Sequence, residues 1–372
     1  MNDIILKSIL SLSTSILVAL IFSLNAQQLD NNNTSDNGKL ELSLIDSYNL
    51  SEKKFLLDQP EAIFVTNIDS LFFLTKEGIL VYSNRGQAQQ KYGRSGRGPF
   101  EFEDPVILKN DKDFLYIWDA GQRKLSKLGK GGKKIDEFRS FRWAMQDFVV
   151  SGDTVFFFNS GRNSGKYIEP YSLTKKEFMS RKYGELNETH KLLKVYDKSG
   201  GITADQKFVY YVSPSELNIH RINKKDGKEE IFVFNDEEFV VPEIKNARSV
   251  MSKGQQEFTK ILMNTSILMD ISIIRNFVVL RAHIGELSFD RKYGYPSPEN
   301  KKVRFYIFDR SNMKLIDTFT FSFVHGQKVQ YDKWASSDNL LVFFSQQFES
   351  QNSIQNDSDA KYSVNFFELR NK

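Results

Sequence analysis

Ten residues, Gly93-Arg94-Ser95-Gly96-Arg97-Gly98-Pro99-Phe100-Glu101-Phe102, carry the densest set of chemically useful groups in this chain. The glycines can turn backbone N–H groups toward an anion, and Arg94 and Arg97 add guanidinium charge suited to a carboxylate or phosphate. A phosphate loop also needs a following helix and a Lys-Ser or Lys-Thr pair. Here the motif runs instead into Asp104-Pro105, at the entry of a strand. The same residues have an architectural use, in which the glycines and Pro99 fix a crossing between two elements. Glu101 would then hold the turn by accepting backbone hydrogen bonds. The two arginines are the ligand candidates, because a turn does not need them.

Other groups invite chemistry at wider spacing. His190, His220, His283 and His325 are the only histidines, and no two lie closer than 30 residues, so no local ligand pair exists. His283 stands beside Arg281 at the head of a long loop that carries Phe289, Arg291, Tyr293 and Tyr295. Aromatics and arginines in a long loop suit peptide or sugar recognition through stacking and charge-assisted hydrogen bonds, or else they pin the loop to the sheet below. Trp143, next to Arg142, is either a stacking platform or a filler between elements. Asp119 closes a strand and is expected to cap the following turn. There is no G-x-S-x-G elbow, and no cysteine for thiolate chemistry, metal ligation or disulfides. The candidate ligand-binding residues are therefore Arg94, Arg97, Trp143, Arg281, His283 and Tyr293, with no catalytic residue, metal site or cofactor expected.

Elements must position these groups. Thirty-two phenylalanines and 15 tyrosines, in short apolar runs punctuated by Gly, Asn, Asp and Lys turns, favour strands over helices. Read as four-stranded units, the chain divides into six. The first runs from Ile63 to Tyr92, the second from Val106 to Phe138, and the third from Gln146 to Tyr183. The fourth spans Gly201 to Phe234, and the fifth spans Met269 to Phe321. The last has only Val329–Trp334, Leu340–Ser345 and Tyr362–Leu369, one strand short. Leu40–Asp46 alternates apolar and polar residues and supplies the missing outer strand. Pairing the termini closes the ring and removes an exposed edge. The expected fold is all-β: a six-bladed β-propeller of four-stranded blades, closed by its N-terminal strand. A short helical insertion, Ala247 to Met263, falls between blades four and five.

Strand polarity assigns loops to faces. Loops joining strand two to three, and those joining strand four to the next blade, emerge on one side. The motif loop, 160–166, 235–266, 282–302 and 346–361 are all of these two kinds. That face is where function is expected.

The G-x-x-G-x-G-P-x-E-F pattern, followed by Phe114-Leu115-Tyr116-Ile117-Trp118-Asp119, resembles the secreted six-bladed β-propellers of the NHL/TolB-like group, most clearly from Leu40 to Phe138. The resemblance implies a fold and a compartment, not a reaction.

Residues 1–26 read as a signal peptide: Lys7, an apolar stretch from Ile9 to Leu24, and Ala26 at the cleavage point. Residues 27–39 read as a flexible linker, and 40–372 as a single domain. With no cysteine, the chain lacks the lipid-bearing residue that many similar secreted propellers carry just after the signal, so release rather than lipid tethering is expected. A soluble periplasmic or extracellular protein is expected, a monomer with no stable membrane span once the signal is removed. The net charge is +4 with signs interspersed, so nucleic-acid binding, which needs a continuous basic face, is not expected. The leading expectation is a non-catalytic binding propeller for a peptide, glycan or envelope protein on its loop-rich face. The alternative, drawn from other six-bladed families, is a metal-assisted lyase or lactone hydrolase. A third reading, a structural part of an envelope assembly, would need an apolar patch on the blade rims.

Overall fold

Short runs of aromatic and β-branched residues satisfy their backbone polar groups by pairing in antiparallel sheets, and bury their side chains by stacking those sheets. The computed structural model describes residues 34–35, 39–50, 62–66, 70–83, 85–111, 113–139, 141, 143, 145–158, 164–193, 200–241, 244, 246–252, 254, 265–284, 288–290, 295–297, 302–322, 329–336, 340–348 and 360–371. Thr34–Ser35 (β1) and Leu40–Asn49 (β2) precede the first blade. Blade one is Ala62–Thr66 (β3), Ser70–Thr75 (β4), Gly78–Ser83 (β5) and Ala88–Tyr92 (β6). Blade two is Pro105–Asp111 (β7), Phe114–Asp119 (β8), Lys124–Gly129 (β9) and Lys134–Phe138 (β10). Blade three is Asp147–Ser151 (β11), Thr154–Phe158 (β12) and Lys166–Ser172 (β13), with Glu177–Phe178 (β14) and Tyr183–Glu185 (β15) both pairing β13. After a short helix, Glu188–Leu193 (α1), blade four is Gly201–Ala204 (β16), Phe208–Val212 (β17), Asn218–Asn223 (β18) and Glu229–Val233 (β19).

A second helix, Ala247–Ser252 (α2), leads to blade five, which begins with Ile267–Ile274 (β20) and Phe277–Ile284 (β21). A small hairpin, Ser288–Asp290 (β22) and Tyr295–Ser297 (β23), intervenes before Lys302–Asp309 (β24) and Leu315–Ser322 (β25). Blade six is Val329–Ser336 (β26), Leu340–Phe348 (β27) and Ala360–Asn371 (β28), completed by β2. The terminal strands pair from Leu40↔Asn371 to Asn49↔Ser363, with an irregularity between Leu44 and Asp46. The expected closure is present, and β2 runs three residues past Asp46.

Six buried apolar clusters occupy the six seams. Phe72 and Leu74 of blade one meet Leu108 and Ile117 of blade two, for example, and Val279 and Ile307 of blade five meet Leu341 and Phe367 of blade six. Each blade is thus covered on both faces. That is why β4, Ser-Leu-Phe-Phe-Leu-Thr, is apolar at consecutive positions rather than alternate ones. The first strands of successive blades, β3, β7, β11, β16, β20 and β26, neighbour one another around the axis.

Some details differ from the sequence reading. The expected outer strand Glu177–Tyr183 is split into β14 and β15. Helix α1 is unanticipated; Asn187 caps it by accepting the His190 amide at 2.6 Å. Helix α2 covers the start of the expected helix, and 255–264 lie outside the described residues. It packs near α1, so two blade crossings touch on the loop-rich side. Within the tract read as a linker, β1 pairs Thr34↔Thr320 and Ser35↔Phe319 on the rim of blade five.

Candidate functional site

The glycine motif is built as a crossing between blades one and two. Gly93 and Gly96 have φ of 78° and 147°. A Cβ on Gly93 would strike the Phe102 ring, and one on Gly96 the Glu101 carboxylate, so glycine is required at both. Phe102 N donates to Arg94 O and Gly96 N to Phe102 O, each at 2.9 Å. Gly98 N donates to Glu101 Oε2 at 2.8 Å. The amides of Gly96 and Gly98 are therefore engaged within the loop rather than turned out toward an anion.

A buried polar seat lies beneath this loop. Lys124 on β9 is fully buried, 2.8 Å from Glu137 Oε1 on β10, and donates to Glu101 O at 2.6 Å. Gln122 Nε2 spans the carbonyls of Gly96 and Glu101 at 3.0 and 2.8 Å. Burial works against the ionised Glu137, but Lys124, Arg139 and the Phe100 amide outweigh it and hold the carboxyl below the usual range. Asp119, also fully buried, accepts the amides of Glu103 and Gln122 at 2.8 and 2.9 Å, so it caps the turn as expected. The seat belongs to the outer half of blade two. Arg94 and Arg97 rise from it with side chains 79% and 80% exposed, paired with Glu101 and Glu103 of the same stretch.

A second charged constellation lies on the axis. Lys109 of β7 reaches Asp147, the first residue of β11, with Nζ 2.8 Å from Oδ1 and 3.0 Å from Oδ2. Asp147 Oδ1 also accepts the Phe148 amide at 2.9 Å, and Oδ2 accepts the Ile202 amide of blade four at 3.4 Å. Next comes Gly201, where an added Cβ would stand 3.1 Å from Asp270 Oδ1 of β20. Asp270 Oδ1 accepts the Ile271 amide at 2.7 Å, and Asp270 pairs in register with Arg281 of β21. Four charged residues thus run + – (gap) – + around blades two to five, with glycine making room at the gap.

Their protonation follows from the enclosure. Burial pushes the Asp270 carboxyl up; Lys109 and Arg281 offset this in part, and Asp147 adds to it. Burial acts against charge on Lys109, but Asp147 and Asp270 outweigh it and the ammonium is held above its ordinary range. The Arg281 guanidinium is pushed down by burial and partly restored by Asp270. Among the described residues no group of three or more His, Asp or Glu is placed to hold a metal ion.

The six sequence candidates are distributed over these regions. Arg94 and Arg97 stand over the outer half of blade two. Trp143 packs edge-on against Phe178 of β14, with centroids 6.5 Å apart, on the outer side of blade three. Arg281 belongs to the axial constellation, and His283 follows it on β21, in register with Ile267 and Val303. Tyr293 and His325 lie outside the described residues. Of the other histidines, His190 is buried on α1 and His220 on β18. His220 Nδ1 lies 2.9 Å from Glu229 Oε1 and 3.0 Å from the Tyr211 hydroxyl. Lys109, Asp147 and Asp270 were missed by the sequence reading. Asp270 carries a signal, a charge inside the apolar run Ile-Leu-Met-Asp-Ile-Ser-Ile-Ile of an innermost strand, whereas Lys109 and Asp147 stand at the edges of their apolar runs.

Comparison with known proteins supports the architecture. A family model described as a 6-bladed beta-propeller, DUF5128, matches residues 50–276. No curated protein matches the sequence. Among solved structures, a member of the DUF4221 family from Bacteroides vulgatus superposes with a TM-score of 0.63 at 12% identity, covering 90% of this chain and 100% of that one. A protein from Bacteroides fragilis, provisionally described as exported, gives a TM-score of 0.60 at 14% identity, covering 91% of this chain and 97% of the other. At such identities these likenesses concern the fold.

Proposed function

The chain belongs to the DUF5128 family of six-bladed β-propellers, and from that premise we propose that it is an exported, non-catalytic binding protein. It engages a charged peptide, glycan or protein partner at the axial opening of its loop-rich face. The observation that carries this reading is the run Lys109, Asp147, Asp270 and Arg281 on the axis. Such charges cost desolvation, which an apolar filling of the axis would avoid. Arg94, Arg97, Trp143, His283 and Tyr293 belong to the same proposal as groups that meet the outlying parts of an extended partner. Kinship with the NHL/TolB-like secreted propellers, suggested by the glycine motif, is part of it too. Export is supported by the N-terminal apolar segment with its small residue at Ala26 and by the provisional description of the Bacteroides fragilis fold neighbour as exported. Among the described residues no helix is long and apolar enough to cross a membrane.

The test is a thermal-shift panel of peptides and glycans on the wild-type protein, repeated on Asp270→Asn and on Arg94→Ala/Arg97→Ala. A ligand that binds only the folded protein raises its melting temperature. The expected result is a stabilising ligand whose effect falls in the axial variant and, for an acidic ligand, also in the double arginine variant. Undiminished binding in the axial variant would remove the axis from the proposal. A panel without any stabilising peptide or glycan would overturn the binding reading.

A further inference from the structure

The outer strand of blade four is built differently from the other blade rims. Strand β19, Glu-Glu-Ile-Phe-Val, ends its sheet, and Ile231 and Val233 are 56% and 76% exposed. Lys228 O accepts the Asn223 amide at 2.9 Å, and Phe234 N donates to Leu217 O at 3.0 Å, so the main chain at these even-numbered positions faces inward. Strand alternation then turns the N–H and C=O groups of Ile231 and Val233 outward, on the residues that also expose apolar side chains.

The other described rims are protected. Strand β25 carries β1. Strand β2 is irregular at Ile45 and β10 at Ile135, where bulges spoil flat pairing. The middle of β6 is Gln89, Gln90 and Lys91, all exposed. Strands β14 and β15 are two and three residues long. Among the described rims, β19 alone shows two exposed apolar residues with no bulge and no covering strand. Its acids are occupied on their own blade, Glu229 by His220 and Glu230 by Arg221, whose Nη2 lies 2.7 Å away.

We propose that β19 is a docking edge for a second copy of this chain, paired antiparallel about a twofold axis at Phe232. That register places Ile231 opposite the second copy's Val233 twice, and Glu229 opposite the exposed, neutral Asn235. Outward-facing backbone groups meet outward-facing ones, and no acid faces an acid. A register centred on Ile231 would set Glu229 against Val233 at both ends, and one centred on Glu230 would set that acid against itself. The sequence thus favours one self-complementary arrangement, of the isologous kind expected for a twofold pair. This departs from the monomer expected from the sequence and is independent of the axial binding proposal.

Sedimentation velocity of the whole protein over rising concentration, with amide exchange followed at Ile231 and Val233, tests it. The expected result is a monomer–dimer equilibrium in which these two amides gain protection as dimer accumulates. Val233→Lys should be monomeric with unchanged melting, because the side chain is exposed. As the chain has no cysteine, an equimolar mixture of Ile231→Cys and Val233→Cys proteins should cross-link faster than either alone, which reports the register. Several outcomes would overturn the proposal. One is a wild type that stays monomeric at every concentration with both amides exchanging freely. Another is a dimer indifferent to Val233→Lys. A third is protection that appears only when a foreign extended peptide is added.

Discussion

Lys124 shows how one side chain can hold a loop. Its ammonium is fully buried, neutralised by Glu137, and spends a further proton on the carbonyl of Glu101. Replacing it by methionine keeps the stem but removes the ammonium from Glu137, which retains Arg139 and the Phe100 amide, and from Glu101 O, which retains Gln122, so Lys124→Met should cost about 1.5–3 kcal/mol in denaturant unfolding. Adding Glu137→Gln should recover part of that loss. Two carboxyls respond to pH with opposite signs. Asp270 has a raised pKa, so its ionisation opposes folding as pH rises above the ordinary carboxylate range. Asp270→Asn should therefore raise the melting temperature at neutral pH, with a gain that vanishes in acid where both states are protonated. Glu229 is held low, first by its hydrogen bond to His220 and then, against burial, by Tyr211. Its stabilisation is present above the unfolded carboxyl pKa and is lost as pH falls through its lowered folded value. Glu229→Gln should thus destabilise at neutral pH, and melting curves recorded from neutral to acid should converge with the wild type.

At the scale of elements, the joint between blades five and six depends on one acid. Asp317 of β25 is fully buried, and its Oδ2 accepts the amides of Lys39 and Leu40 at 3.1 and 3.0 Å, where the chain passes from the rim of blade five into β2. Its Oδ1 accepts the Thr318 amide at 2.8 Å. Asp317→Ala strands these donors and should cost about 1–3 kcal/mol by thermal or denaturant melting. Deleting residues through Asn49 should cost far more than deleting those before Lys39, because only the longer deletion opens blade six and breaks its pairing with β28. Equal melting of the two truncated proteins would show that β2 does not close the ring.

The whole molecule is a ring of six seams, each an apolar cluster shared by two blades. No blade keeps both faces covered if a neighbour leaves, so unfolding should be a single cooperative transition by circular dichroism and by tryptophan fluorescence alike. Loss of β2 should split that transition, since blade six would be the first to open. Rigidity of this kind suits a scaffold that presents charges on its axis and loops on one face while the chemistry of recognition varies.

Blade count and terminal closure were legible in the chain because they follow from local quantities. Aromatic and β-branched runs of five to eight residues and their turns define strands, and a last repeat one strand short demands a partner from the other end. The architectural use of the glycine motif was also within reach, since positive φ and an acid three residues after a glycine are local facts. The axial constellation was not. Lys109, Asp147 and Asp270 are 38 and 123 residues apart along the chain, and each looks like an isolated charge in its own strand. Only closure of the ring sets those innermost strands side by side, and only there does the absent side chain of Gly201 become room for Asp270. The same holds for the split outer strand of blade three and for the bare edge of β19. Local sequence sets whether a segment pairs, but the neighbouring blade sets what that pairing buries and what it leaves exposed.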